Sequence, residues 1–284
     1  MIVSDVKNIT LDFIKQPFPL WNCEIAGALT DNKLNALFGN AEEGRKKYSL
    51  SGCLLKDWEY SGLENVLPIT QCGKTFSLIT PTPHLGYFYE QHGLVPFTIE
   101  EFKASNAVDK LERTMAMFCG SPVVFQFLSQ IVKSIQLIRS EDAETDVSYS
   151  HPDIPFTIFV SICGDDSLIS SLRIAESILH ESMHLLLTLI EGIFPLIDPT
   201  SKAVYYSPWR DEDRPVRGVL HGLFVFKAIN DFYALLSPQI TDAVSNAYIL
   251  KRLDQIFGEM VLLKDFPLSP GLTEEGKQLA IKLV

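Results

Sequence analysis

His180-Glu181-Ser182-Met183-His184 sets two imidazoles four residues apart, with a carboxylate beside the first. On a helix, positions i and i+4 lie one above the other, so both rings reach a single metal ion. The run from Leu172 to Leu189 reads as that helix. Ala175, Ile178, Leu179, Met183, Leu186 and Leu187 give it a buried face. Two neutral imidazoles on one metal, with a carboxylate in reach, support two chemistries. One is hydrolysis by metal-activated water, with Glu181 as general base. The other is oxidation at a non-haem iron that keeps open positions.

A catalytic metal commonly takes three protein ligands. The chain has six histidines, and His84, His92 and His151 fall in loops or at element edges, where surface or structural roles are expected. His221 is the candidate third ligand. It lies in the apolar run Val216 to Leu236, which reads as a helix, with Gly218 and Gly222 on either side of it. Those glycines are expected to let that helix approach the motif helix closely. The longer motif H-E-x-x-H-x-x-G-x-x-H is not present, because Leu187 and Ile190 stand where its glycine and third histidine would. A peptidase-type carboxylate ligand would have to come from Glu212, in a proline-flanked loop, or from Glu191 or Asp231.

The segment Tyr205-Tyr206-Ser207-Pro208-Trp209-Arg210, continuing to Gly218-Val219-Leu220-His221-Gly222, forms the second half of a two-part signature with the upstream H-E-x-x-H. In both parts the chain resembles the 2-oxoglutarate-dependent HExxH-type peptide β-hydroxylases, which are encoded beside ribosomal peptide natural products. The likeness covers Leu172 to Leu236, with a looser echo at Leu272 to Gly276, and residues 1–150 carry no motif of it. It implies an iron(II) dioxygenase rather than a zinc hydrolase. In that family reading His180, His184 and His221 hold iron(II), 2-oxoglutarate chelates as cosubstrate, and O2 is the oxidant. The substrate is a ribosomally synthesised precursor peptide, hydroxylated at a β-carbon. Three histidines depart from the usual two-histidine, one-carboxylate set. The distal carboxylate of 2-oxoglutarate needs a cation, and a forked arginine suits it. Arg210 is first choice, Arg217 second because it lies four residues before His221, and Arg214 third. Trp209 is expected to pack a pocket wall, with Tyr206 and Ser207 as hydrogen-bond partners of cosubstrate or peptide. Glu181 is expected in the active site without an assigned step, since hydroxylation needs no general base. Two other readings stay open: a zinc metallopeptidase of HExxH type acting on a peptide, and a non-catalytic peptide-binding partner of a maturase.

Around this centre the sequence sets the frame. An apolar content of 46% over 284 residues is enough for a substantial core, in one large domain or two smaller ones. The division read from the sequence is an N-terminal helix and strand region, 1–150, as the peptide-binding part, and a metal-binding catalytic core, 151–284. A formal net charge of −11 without a basic stripe excludes nucleic-acid backbone as the main ligand. No basic stretch precedes an apolar run at the N-terminus, and apolar stretches are broken by charge, so neither a signal peptide nor a membrane span is expected. Cys23, Cys53, Cys72, Cys119 and Cys163 are odd in number and form no C-x-x-C. They are expected as reduced thiols in a cytoplasmic protein.

The expected fold class is helix-dominated α+β, with the metal site between apolar helices at about 172–190 and 216–236. Residues 1–50 read as largely helical, stopping at Gly39-Asn40. Val66 to Ile69 and Thr75 to Ile79 read as strands, Pro81 to Gly86 as a loop, and Tyr87 to Tyr89 as a short aromatic strand. Ile99 to Met117 and Pro122 to Ile138 read as two helices, Ser140 to Ser150 as an acidic loop, and Ile154 to Ile162 as a strand. Prolines at 195, 199, 208 and 215 are expected to keep Phe194 to Arg214 irregular. Asp242 to Leu263 reads as a helix, and Thr273 as the cap of a last short one.

Overall fold

The computed structural model describes residues 3–17, 19–38, 66–80, 85–140, 142 and 145–284. His84, Cys53, the stop at Gly39-Asn40 and most of the 81–86 loop lie outside these. The chain divides into two compact units, Leu34–Leu185 on one hand and Met1–Lys33 with Leu186–Val284 on the other. The acidic Ser140–Ser150 stretch falls inside the first.

Within Leu34–Leu185 the described strands form one mixed five-stranded sheet. β1 (Val66–Gln71) and β2 (Lys74–Ile79) make an antiparallel hairpin, closed at Cys72 and Gly73 with φ of 47° and 74°. Left-handed backbone at both turn residues matches the strand twist, which is why glycine serves there. β3 (Ser134–Ile138) pairs parallel to β2 and to β5 (Thr157–Ser161), and β4 (Ser148–Ser150) closes the order β1-β2-β3-β5-β4 antiparallel to β5. Every residue of β3 and β5 is buried. In β3 the buried Ile135 and Ile138 continue the three- and four-residue spacing of Phe125, Leu128 and Ile131 in the helix before it. That explains one correction. Pro122 to Ile138 is not a single helix, because α6 (Pro122–Ile131) ends at Ile131, Val132 takes extended backbone, and the rest is β3.

Three more expectations change in this unit. Tyr87 to Tyr89 lies not in a strand but in helix α3 (Gly86–Gln91), where Phe88 and Tyr89 pack on Phe159. Burial of the aromatic rings overrides their strand preference. Ile99 to Met117 is broken at Ser105-Asn106 into α4 (Ile99–Ala104) and α5 (Ala107–Cys119). Thr98 starts α4 with a reciprocal capping box to Glu101. Cys72 and Cys119 are not free thiols. They form a disulfide that ties the β1–β2 turn to the end of α5, while Cys23 and Cys163 are in no disulfide among the described residues.

α7 (Leu168–Glu191) is one continuous helix that runs through the division between the units. The buried ammonium of Lys110 donates to the carbonyls of Cys163 and Asp165, fixing the loop that leads into it.

The other unit is mainly helical. α1 (Val3–Lys15) and α2 (Cys23–Phe38) begin the chain, and α8 (Val216–Leu236), α9 (Ala243–Val261) and α10 (Glu274–Leu283) end it. The proline-rich stretch is more regular than expected: β6 (Val204–Ser207) and β7 (Glu212–Pro215) pair antiparallel there. Pro208 and Pro215 sit in its turn and at its end, where a missing N–H costs little. Val216–Gln239 is long and apolar enough by length and composition to cross a membrane, contrary to the reading that no run is, but it is mostly buried within the protein. Thr273 caps α10 as expected, its hydroxyl accepting from the Gly276 N–H at 3.1 Å. The helix-rich content with a mixed sheet is the expected α+β class.

Candidate metal centre

α7 is buried around most of its circumference. From Leu172 to Glu191 the residues that keep partial exposure are Arg173, Glu176, His180, His184, Thr188, Leu189 and Glu191. At 3.6 residues per turn these make one stripe along the helix, so the two motif histidines stand on the single face that reaches solvent.

Their rings converge. The Nε2 atoms of His180 and His184 lie 3.1 Å apart, with ring planes at 66°. Nitrogens this close either share one proton or face one metal ion. Two nitrogens bound at about 2.1 Å sit about 3.0 Å apart in cis-octahedral positions and about 3.4 Å apart in a tetrahedron. The observed spacing fits a shared ion, so these residues suit two positions of a metal.

Glu181 points off this stripe, 4% exposed, toward the sheet. Its two oxygens accept hydroxyl hydrogen bonds from Ser148 at 2.7 Å and Ser150 at 2.6 Å. Both serines come from β4, where residues two apart share a face, and Tyr149 between them turns the other way. Its hydroxyl lies 2.8 Å from His92 Nδ1, and its ring is near Phe88 and His151. Burial, then the nearby Glu181 charge, raises the Tyr149 phenol above its ordinary range. Among the described residues no Lys or Arg pairs with Glu181. A buried carboxylate that meets only neutral donors is short of positive charge, and such groups are normally paired or held near a metal. No group of three or more His, Cys, Asp or Glu able to hold a metal ion occurs among the described residues, so His221 is not shown joining the pair.

His221 is instead fixed within its own unit. Its Nε2 lies 3.2 Å from Glu191 Oε2, and Arg217 forks onto the same carboxylate, with contacts of 2.7 and 3.1 Å. Burial alone would raise the Glu191 carboxyl. The hydrogen bonds from His221 and Arg217 outweigh it and hold the group below its ordinary value. Arg217, the second-choice cosubstrate arginine, is thereby engaged. Arg214 pairs with Glu212 at 2.9 Å, and Arg210 is exposed.

Trp209 stacks on Phe226 of α8, centroids 4.8 Å apart and planes at 12°. A Cβ on Gly222 would come within 2.7 Å of that indole. This corrects the role given to the glycines: Gly222 makes room for Trp209, and Gly218 lies against Arg214. Tyr206 is exposed and donates to Asp211 at 2.7 Å, which raises its phenol above the usual range, while Ser207 is buried at the end of β6. Sequence reasoning missed Ser148 and Ser150 as partners of Glu181. Their signal, two serines at strand spacing, sits in an acidic stretch that otherwise reads as loop. Comparison with known proteins finds no family model that matches this chain and no curated protein that matches it.

Proposed function

We propose that this chain is an iron(II)- and 2-oxoglutarate-dependent oxygenase that hydroxylates a β-carbon in a ribosomally synthesised precursor peptide. The observation that carries the metal part is the converging Nε2 pair of His180 and His184 beside the buried, cation-poor carboxylate of Glu181. The signature from Tyr205 to Gly222 carries the choice of oxidation. When bound, iron(II) with 2-oxoglutarate and O2 supplies oxidation of C–H to C–OH as 2-oxoglutarate becomes succinate and CO2.

The chain's own residues have these parts. His180 and His184 bind through Nε2. His221, taken from the sequence signature, is the proposed third ligand, and its Nε2 lies 3.2 Å from the Glu191 carboxylate, the kind of contact that orients a histidine ligand. Arg210 receives the distal carboxylate of 2-oxoglutarate, since Arg217 is held by Glu191. Trp209, locked on Phe226, holds the backbone of that arginine's turn in place. Glu181 is a positioning residue whose negative charge favours a cation on the adjacent imidazoles.

A zinc metallopeptidase remains the second reading, because it needs the same histidine pair. It asks Glu181 to take a proton from water. Both oxygens of Glu181 already accept a serine hydroxyl, which suits positioning better. The test is succinate release from 2-oxoglutarate by purified protein with iron(II) in air, followed without any peptide and then with candidate precursor peptides for a hydroxylated product. Succinate that requires O2 and disappears in His184→Ala is expected. No succinate, with peptide cleavage that persists without O2, would replace this reading by the peptidase.

A further inference from the structure

We infer that the outer edge of β4 is the docking site for an extended peptide, which adds to the sheet as a strand alongside the histidine pair. This rests on the proposed peptide substrate and says how it is held.

β4 ends the strand order and pairs, among the described residues, with β5 alone. In an antiparallel pair, opposed residues alternate between those that exchange backbone hydrogen bonds and those that do not. The Ser161 N–H donates to the Val147 carbonyl at 2.8 Å, so Val147 and Ser161 belong to the bonded set. Two residues along, Tyr149 opposite Phe159 belongs to it as well. Ser148 and Ser150, opposite Val160 and Ile158, are therefore the residues whose N–H and C=O point away from β5. Their hydroxyls are the ones that grip Glu181, the neighbour of His180.

The same two residues thus turn backbone outward and side chain toward the motif. A strand paired with them runs about 4.8 Å from β4, and its alternate side chains fall on the Glu181 face. What the edge offers is donors and acceptors two residues apart, and an extended backbone complements that pattern by main-chain bonds that ignore side-chain identity. The opposite edge of the sheet differs. β1 carries Pro68, which lacks an N–H and blunts strand addition there, whereas the three residues of β4 include no proline and keep their outward N–H groups.

The test uses the full chain and a peptide selected on it from a random dodecamer display library. N-methylation of that peptide, position by position, is expected to weaken binding about tenfold or more at alternate residues and little between them. Amide hydrogen exchange at Ser148 and Ser150 is expected to slow when it binds. Ser150→Pro, which removes the outward N–H, should lose binding, while Ser150→Ala, which keeps it, should bind within about threefold. Absence of any enriched peptide, indifference to N-methylation, or protection confined elsewhere would overturn the inference. So would protection of these amides that rises with protein concentration alone, because a second copy would then hold the edge. Succinate formation without peptide tests the oxygenase reading separately. A peptide docked on β4 without succinate leaves the edge standing and removes the oxygenase.

Discussion

Glu181 and Glu191 lie on one helix, about three turns apart, and meet opposite surroundings. Glu191 is surrounded by cationic or ionisable donors: Arg217 grips it with a fork and His221 approaches at 3.2 Å. Glu181 is the more deeply buried of the two, yet its partners are two neutral serine hydroxyls. The first carboxylate is neutralised by its own unit and acts as a structural anchor. The second has neutral partners and sits beside two imidazoles whose Nε2 atoms converge. The contrast teaches that burial of a carboxylate does not by itself mark a site. The missing counter-charge does, and in the proposed reading a metal ion on the adjacent imidazoles supplies it.

The largest expected effect comes from removing one of the converging imidazoles. His184→Ala should lower succinate formation at least about hundredfold, while changing the stability of metal-free protein by no more than about 0.5 kcal/mol, since its side chain is partly exposed. Enzyme assay and urea unfolding read the two. A large stability loss without metal would make the pair structural and remove the contrast. Glu191→Ala should do the reverse. It leaves Arg217 and His221 facing each other, and charged hydrogen bonds of this kind are worth about 1.5–3 kcal/mol. Metal affinity of the His180–His184 pair is then expected to change less than stability does, provided that His221 keeps its place.

Gly222→Ala sharpens the role of the second glycine-flanked segment. Its Cβ would meet the indole of Trp209 at 2.7 Å, and overpacking of that size costs about 1–3 kcal/mol. Loss of Trp209 fluorescence anisotropy, together with a lower unfolding midpoint, checks it. The pH dependence of Glu191 gives a smaller effect of known sign. Its native value lies below the ordinary 4.5. Its stabilisation is therefore fully present above that value and is lost as pH falls through the native one. The stability gap between wild type and Glu191→Gln should be flat near neutrality and close under acid, as thermal melts across pH would show. A gap that widened with falling pH would contradict the ion-pair account.

The parts of the fold set by local sequence were legible. α8 spans Val216–Leu236 as its apolar run predicts, Thr273 caps the last helix, and the motif helix extends a few residues beyond Leu172 and Leu189 at each end. The parts set by tertiary surroundings were not. β3 is buried on both faces, and its Ile135 and Ile138 continue the helical spacing of Leu128 and Ile131, so the strand read as more of the helix before it. The Cys72–Cys119 link depends on where a hairpin turn and a helix end meet in space, 47 residues apart in the chain. The site was half legible. The spacing of His180 and His184 was enough to bring their Nε2 atoms together. The grip of Ser148 and Ser150 on Glu181 needed the position of an edge strand only three residues long, in a stretch dominated by acidic side chains.

Titration of metal-free protein with iron(II) under argon, reading bound metal per chain, tests the central claim most directly. The account predicts one tightly held equivalent in the wild type, none in His180→Ala or His184→Ala, and weaker binding in Glu181→Gln. Equal binding by wild type and both histidine variants, or no binding by any, would contradict it.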